Sequence, residues 1–324
     1  MNGRHVLQSH TKVSIITPAY NAERFIGATI ESVLGQSMPD WELTIVDDGS
    51  LDNTAPIALA YARRDPRIRV VSTPNMGVAA ACNRGFSASS PDTPFLIFLD
   101  SDDVWEPHAL ETLITALERE SGAAGVYGSG RFMNADGQLF AQGDLEARIR
   151  RRMRFGNGQL VSCTLDDPTT LETVVYAATI ATTGVCLIRR HQLPEPGVPP
   201  FPSDFRCSGD LHLWMRMALK SYFVFTDCVV IRKRCHDHNL TRSEDAVADA
   251  DLVAIVDVMR LNETTHAHRA LIRAAYLAGR RDDIYKAVVV VLSLAMKGRL
   301  RSAWWWARQA RTPVRSYLRG LMSI

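Results

Sequence analysis

The chain has 324 residues, 46% apolar and 22% charged, with a formal net charge of +2. That balance excludes disordered and collagen-like classes and allows one large domain with an appendage, or two domains. Charge is uneven, however: residues 297–324 hold seven Lys or Arg and no Asp or Glu, which leaves residues 1–296 at −5. An acidic body with a basic end points to an anionic surface near the C-terminus. Six cysteines (82, 163, 186, 207, 228 and 235) form no C-x-x-C pair and read as reduced, structural residues. The longest apolar run, "AVVVVL", is far short of the ~20 residues that span a bilayer. With no secretion-like N-terminal stretch, the expected location is cytoplasmic, with the inner face of the cell membrane as a place of work.

In chain order, "KVSIITPAY" predicts a first strand and "AERFIGATIESVL" a helix, with Phe25, Ile26, Ile30, Val33 and Leu34 on one face and Asn21 as its cap. "ELTIVDDGS" predicts a second strand stopped at Gly49, followed by a helix to about Arg64. "RIRVVSTP" and "GVAAACNRGFSAS" continue the strand–helix alternation. "TPFLIFLD" is a fourth, wholly apolar strand, and Leu110, Leu113, Ile114 and Leu117 mark an amphipathic helix starting near Pro107. Apolar strands alternating with helices predict an α/β fold with a mostly parallel central sheet flanked by helices. Ligands bind such sheets beyond the strand C-terminal ends, which singles out "TPAYN", "VDDGS", "TPNMG" and "LDSDD" on one rim.

The second half is less regular. "GVYGS" reads as a strand before a Gly-rich turn, and a charged stretch surrounds Arg148 to Arg154. "IATTGVCLIRR" reads as a strand, 194–202 as loop, "DLHLWMRMALK" as helix and "FVFTDCVVIRKR" as strand. Beyond Asp245 the pattern is helical. These expectations give an N-terminal extension at 1–12 and a main domain at 13–244, divided into a regular half (13–120) and a less regular half (121–244). A helical C-terminal region follows at 245–324.

Three carboxylates, Asp100, Asp102 and Asp103, crowd the end of the fourth strand. Packed like charges call for a cation, and hard oxygen donors suit Mg²⁺ or Mn²⁺. Tyr20 could stack on a base. Asp48 could accept N3–H of a uracil ring, with Asp47 and the Gly49 turn fixing the loop.

The motifs P-x-Y-N, D-D-G-S, N-x-G and D-x-D occur in that order, and together they resemble the family 2 glycosyltransferases, inverting enzymes of the GT-A fold. The resemblance covers roughly residues 13–240. It implies a nucleotide-diphosphate sugar donor (a UDP-sugar), a divalent metal, and a saccharide or lipid-linked saccharide acceptor in cell-surface polysaccharide or glycolipid assembly. Carried over by motif, Pro18, Tyr20, Asn21, Asp47, Asp48, Asn75, Gly77, Asn83, Asp100 and Ser101 would line the donor site. Asp100 would face the ribose, Asp102 would hold the metal, and Asp103 would support the loop.

"CSGDLHLWMRM" resembles the family's E-D-x-x-L-W stretch and makes Asp210 the general base, with Gly209 where Glu is usual. Cys82 stands where many relatives have Arg before Asn83. "RKRCHDHNLT" resembles R-x-H-x-x-N-x-S, so Arg234 would contact phosphate and His236 would reach the metal; His238 is its near neighbour. Trp304, Trp305 and Trp306 among Arg299, Arg301, Arg308 and Arg311 suggest peripheral contact with an anionic membrane. No nucleic-acid motif accompanies that basic run. Neither a Gly-rich phosphate loop nor G-x-G-x-x-G follows a strand, which argues against a sugar nucleotidyltransferase and a dinucleotide oxidoreductase. The alternative from another class is a non-catalytic nucleotide-sugar binder of the same fold.

Overall fold

The computed structural model describes residues 11–140, 150–157, 159–194, 198–203, 207–237, 239, 244–297, 299, 302–304, 307 and 311–323. His238, Trp305, Trp306, Arg301, Arg308, residues 1–10 and Arg148 lie outside them.

Strand β1 (Val13–Ala19) is buried along its whole length, as its apolar, β-branched sequence requires at the middle of a sheet. It pairs in parallel with β2 (Trp41–Asp47) on one side and β4 (Phe95–Phe98) on the other. Pro18 is tolerated in so central a strand because β4 pairing ends at Ile16↔Phe98, before a missing N–H would matter. Strand β3 (Ile68–Ser72) extends the parallel set on the far side of β2. Between these strands run α1 (Ile26–Leu34), α2 (Thr54–Ala62) and α3 (Val78–Ala88). Ile26, Ile30 and Val33 of α1 are buried, the one-faced pattern expected of it. Asn21 does not cap α1: it lies five residues before the helix, and its Oδ1 accepts from the N–H of Leu51 at 2.8 Å.

After β4 come β5 (Val104–Trp105), α4 (Ala109–Glu118), β6 (Gly125–Met133), a hairpin of β7 (Met153–Gly156) and β8 (Gln159–Ser162), and α5 (Leu171–Ala177). Then follow β9 (Cys186–Arg189), α6 (Gly209–Ala218) and β10 (Phe223–Arg234). The eight-stranded sheet has the order β3-β2-β1-β4-β9-β6-β10-β5. Its first four strands are parallel, as is the β6–β10 pair, while β9 runs antiparallel to both β4 and β6. Two expectations are corrected here. The strand at "GVYGS" continues through the supposed Gly-rich turn to Met133, because β10 pairs with it along that length. "IATTGVCLIRR" is strand only from Cys186, and Thr183–Val185 form a 3₁₀ turn.

Three helices end the chain: α7 (Glu244–Arg260), α8 (His266–Met296) and α9 (Arg311–Ser323). Leu252, Ile255 and Val258 of α7 and Ile272 and Ala275 of α8 join the same hydrophobic core as β1 and β4. Gly279 brings α8 against α5 so closely that a Cβ there would lie 2.1 Å from the carbonyl oxygen of Tyr176. Among the described residues no helix is long and apolar enough to cross a membrane.

Candidate active site

The parallel strands deliver their C-terminal ends to one rim, and the acidic loop after β4 sits at its centre. Ligand oxygens of Asp100, Asp102 and Asp103 all lie within 4.8 Å of one another. Helix α1 clamps this loop from below: the buried Thr29 hydroxyl reaches the carbonyls of Ser101 (2.9 Å) and Asp103 (2.8 Å). Ser101 is thus held by its backbone.

The end of β10 closes the loop from the other side. The backbone N–H of Arg234 donates to Asp103 Oδ1 at 2.8 Å, while Asp103 Oδ2 is buried with no hydrogen-bond partner. Lys233 Nζ lies 3.7 Å from that oxygen, 3.7 Å from Asp100 Oδ2 and 3.3 Å from the Thr182 hydroxyl. Burial pushes the Asp103 carboxyl up to about 7, Lys233 pulling it back and Asp102 and Asp100 pushing it further. Asp100 is raised by the same desolvation, again opposed by Lys233. Desolvation works to lower the Lys233 ammonium, but Asp103, Asp100 and Asp102 outweigh it and hold it above its ordinary value. Lys233 is therefore a built-in countercharge for two of the three carboxylates.

Asp102 has different partners. His236 Nε2 lies 2.8 Å from Asp102 Oδ2, and Asn239 Nδ2 donates to the same oxygen at 3.2 Å. The Phe25 ring stacks on His236 at 4.7 Å, fixing the imidazole. Arg234 is engaged with the loop: Nε donates to the Asp102 carbonyl (2.8 Å), Nη1 to that of Ala135 (3.0 Å), and its guanidinium lies over Phe25. Its observed work is bracing the loop. The carboxylate oxygens of Asp100 and Asp102, with the His236 imidazole beside them, are a donor set that fits Mg²⁺ or Mn²⁺.

At the β1 and β2 tips, Tyr20 is 48% exposed and offers an open ring face. Asp48 is buried and engaged within the protein: Oδ1 accepts from the Met76 N–H (3.0 Å) and Thr73 hydroxyl (3.2 Å), Oδ2 from the Gly77 N–H (2.8 Å). These bonds tie β2 to the entrance of α3. Asp47 accepts from the Ser50 N–H at 3.3 Å. Gly49 has φ +73, and a Cβ there would meet the Asn75 N at 2.8 Å, so only glycine lets these two loops touch. Asn75 and Gly77 are exposed on that rim.

Across the rim, Asp210 stands in the first turn of α6, half-buried, its Oδ1 accepting from the Leu211 N–H at 2.9 Å. Desolvation pushes its carboxyl up to about 6, with Asp251 and Asp100 adding to the rise and Lys233 opposing it. The buried Cys82 thiol is raised by burial and then by Asp100, Asp210 and Asp48. Asn83 spends both ends of its amide within the protein. Its Nδ2 donates to the Phe201 carbonyl (2.7 Å) and its Oδ1 accepts from the Phe201 N–H (3.0 Å). The Phe201 ring packs edge-on against Phe98 and lies 3.2 Å from where a Gly209 Cβ would be. The two departures from the family pattern, Cys82 and Gly209, thus flank one pinned aromatic segment.

Sequence reasoning missed Lys233, Thr182, Asn239 and Phe201. For Lys233 a signal existed: in β10 it alternates with Arg232 and Arg234, so it faces opposite to Arg232, which pairs with Glu106.

Residues 14–165 match the family described as Glycosyl transferase family 2. The chondroitin synthase of Pasteurella multocida strain Pm70 is 38% identical over 131 residues, 40% of this chain and 13% of that protein. The chain therefore spans a small part of the length of such curated relatives. Among solved structures, S. aureus TarS 1–349 in complex with UDP-GlcNAc superposes with a TM-score of 0.63 at 18% identity, covering 83% of this chain and 72% of that one. The mannosyltransferase PcManGT from Pyrobaculum calidifontis, in complex with GDP-Man and Mn²⁺, gives a TM-score of 0.63 at 16% identity, covering 96% and 87%. Residues 14–165, just under half of the chain, thus resemble glycosyltransferase family 2, and the fold is of the GT-A type.

Proposed function

We propose that this protein transfers a sugar, with inversion, from a UDP-sugar to a hydroxyl of a saccharide or lipid-linked saccharide acceptor, in cell-surface polysaccharide assembly. The observation that carries this reading is the cluster of Asp100, Asp102 and Asp103, whose ligand oxygens lie within 4.8 Å of one another at the end of β4. A leaving-group site and a base site must both border one sugar. Asp102, Asp100 and His236 would hold Mg²⁺ or Mn²⁺, which when bound supplies charge for the departing diphosphate. Tyr20 presents its ring to the base, and the exposed Asn75–Gly77 turn lines the same edge. Asp210 takes the proton from the attacking hydroxyl; a carboxyl raised to about 6 is ionised at neutral pH yet more basic than an ordinary aspartate. The domain division expected from the sequence, 13–244 followed by 245–324, is retained in this reading as a functional one.

Release of UDP from a panel of UDP-sugars, with Mn²⁺ or Mg²⁺ and saccharide acceptors, tests the proposal. Asp102→Asn is expected to lower release about a hundredfold or more, the scale of losing several kcal/mol of leaving-group stabilisation. Asp210→Asn should keep donor binding and lose about 10²–10⁴-fold in transfer. Tight UDP binding without turnover on any acceptor would favour the non-catalytic binder, and undiminished transfer by Asp210→Asn would remove the base assignment.

A further inference from the structure

Helix α9 is docked with its small residues inward. Ser316 is buried, its carbonyl accepting from Tyr276 Oη at 3.3 Å, and a Cβ on Gly320 would lie 2.5 Å from the Tyr276 ring. The large apolar residues of the same helix, Val314, Leu318, Leu321 and Met322, are exposed, Met322 by 80%. A helix that only packed on its own protein would be turned the other way. The last turns of α8 repeat the arrangement. Tyr285, Val288, Val289, Leu292 and Met296 follow a helical stripe at i, i+3, i+4, i+7 and i+11, and all are exposed. Trp304, in the stretch between the two helices, is exposed as well.

The charge around these stripes has one sign. Residues 297–324 contribute seven basic and no acidic side chains. The acids of α8 beside the stripe are neutralised: Asp282 pairs with Arg151 and Lys286, Asp283 with Arg151 and Arg280. Neither helix can cross a bilayer. An amphipathic basic helix instead lies in the interface plane, apolar face among acyl chains and cations among headgroups.

We propose that the outward faces of the α8 C-terminal turns and of α9 form a docking surface for an anionic lipid bilayer. A second copy of the chain fits less well, because pairing this surface with itself would set Arg311, Arg315 and Arg319 of the two α9 helices against each other. An anionic leaflet supplies the opposite charge, and each basic side chain near it adds attraction that salt screens. This surface is independent of the transfer chemistry, since none of its residues belongs to the rim described above.

The full chain is tested by co-flotation with vesicles of about 30% phosphatidylglycerol in phosphatidylcholine, against phosphatidylcholine alone. Binding to the anionic vesicles is expected to be at least about tenfold tighter and to weaken as salt rises. The double variants Leu318→Glu with Met322→Glu, and Val289→Glu with Leu292→Glu, change exposed positions and should keep the wild-type melting temperature. Each should lose vesicle binding about tenfold or more, as charge inserted in an apolar stripe demands. Equal or absent binding to the two vesicle types overturns the proposal, as does full binding by the folded variants. Dimerisation abolished by the same variants, without vesicle binding, overturns it in favour of a second copy.

Discussion

Asp210 carries opposite consequences for chemistry and for stability. Its folded carboxyl titrates near 6, above the ordinary 3.8, so the folded state holds a proton that the unfolded chain releases. The resulting stabilisation is complete below the ordinary value and is lost as pH rises toward about 6. At neutral pH the ionised group is a strain on the fold. Asp210→Asn is therefore expected to raise stability at pH 7 by roughly 1–2 kcal/mol, discounted for partial exposure, while abolishing transfer. Denaturant melts at pH 5 and pH 7 check this, the gain being smaller at the lower pH. Turnover of the wild type should show an acidic limb near 6. Lys233 gives the converse case. Lys233→Met leaves Asp103 buried beside two other carboxylates without its countercharge, at a cost of roughly 3 kcal/mol. Calorimetry should show the loss. The motif carboxylates were legible in the sequence because they are contiguous; Lys233 was not, since its partners lie about 130 positions away and meet it only through β10.

Among elements, β1, β2 and β4 and the helices α1 and α4 were legible because each is a buried run or a single apolar face with one meaning. Strand β4 is wholly buried, and α1 and α4 show a single apolar face. The later elements are short or locally ambiguous. "LETVVYA" is rich in β-branched residues yet forms α5, since every side chain but Glu172 is buried against surrounding structure and packing decides. Strand β9 has four residues and is fixed by two antiparallel neighbours, neither adjacent in sequence. The pinned segment at Phe201 belongs to the same class, because nothing near Asn83 in sequence announces its partner. Asn83→Ala would strip both backbone groups of Phe201 of their partners at a cost of about 1–3 kcal/mol. If that segment shapes the acceptor side, the variant's acceptor KM rises while donor binding, read by UDP titration, is unchanged.

For the whole molecule, the C-terminal helices share the core of the sheet, with α7 and α8 contributing to the cluster that contains β1 and β4. Gly279 shows how tight that union is. Gly279→Ala would drive a methyl into the Tyr176 carbonyl, and about 3 kcal/mol or more of destabilisation is expected in urea unfolding, at the severe end for overpacking. One cooperative transition, with the sheet and the terminal helices melting together, is the accompanying signature.

That backbone-to-backbone contact also governs how the protein can be oriented. Where Gly279 meets the Tyr176 carbonyl no side chain intervenes, and the Tyr176 Oη–Asp282 hydrogen bond (3.0 Å) adds a second tie, so torque on α8 passes directly into the body. Anchoring the tail to a fixed plane would consequently set the compass bearing of the acidic rim, as a keel sets that of a hull.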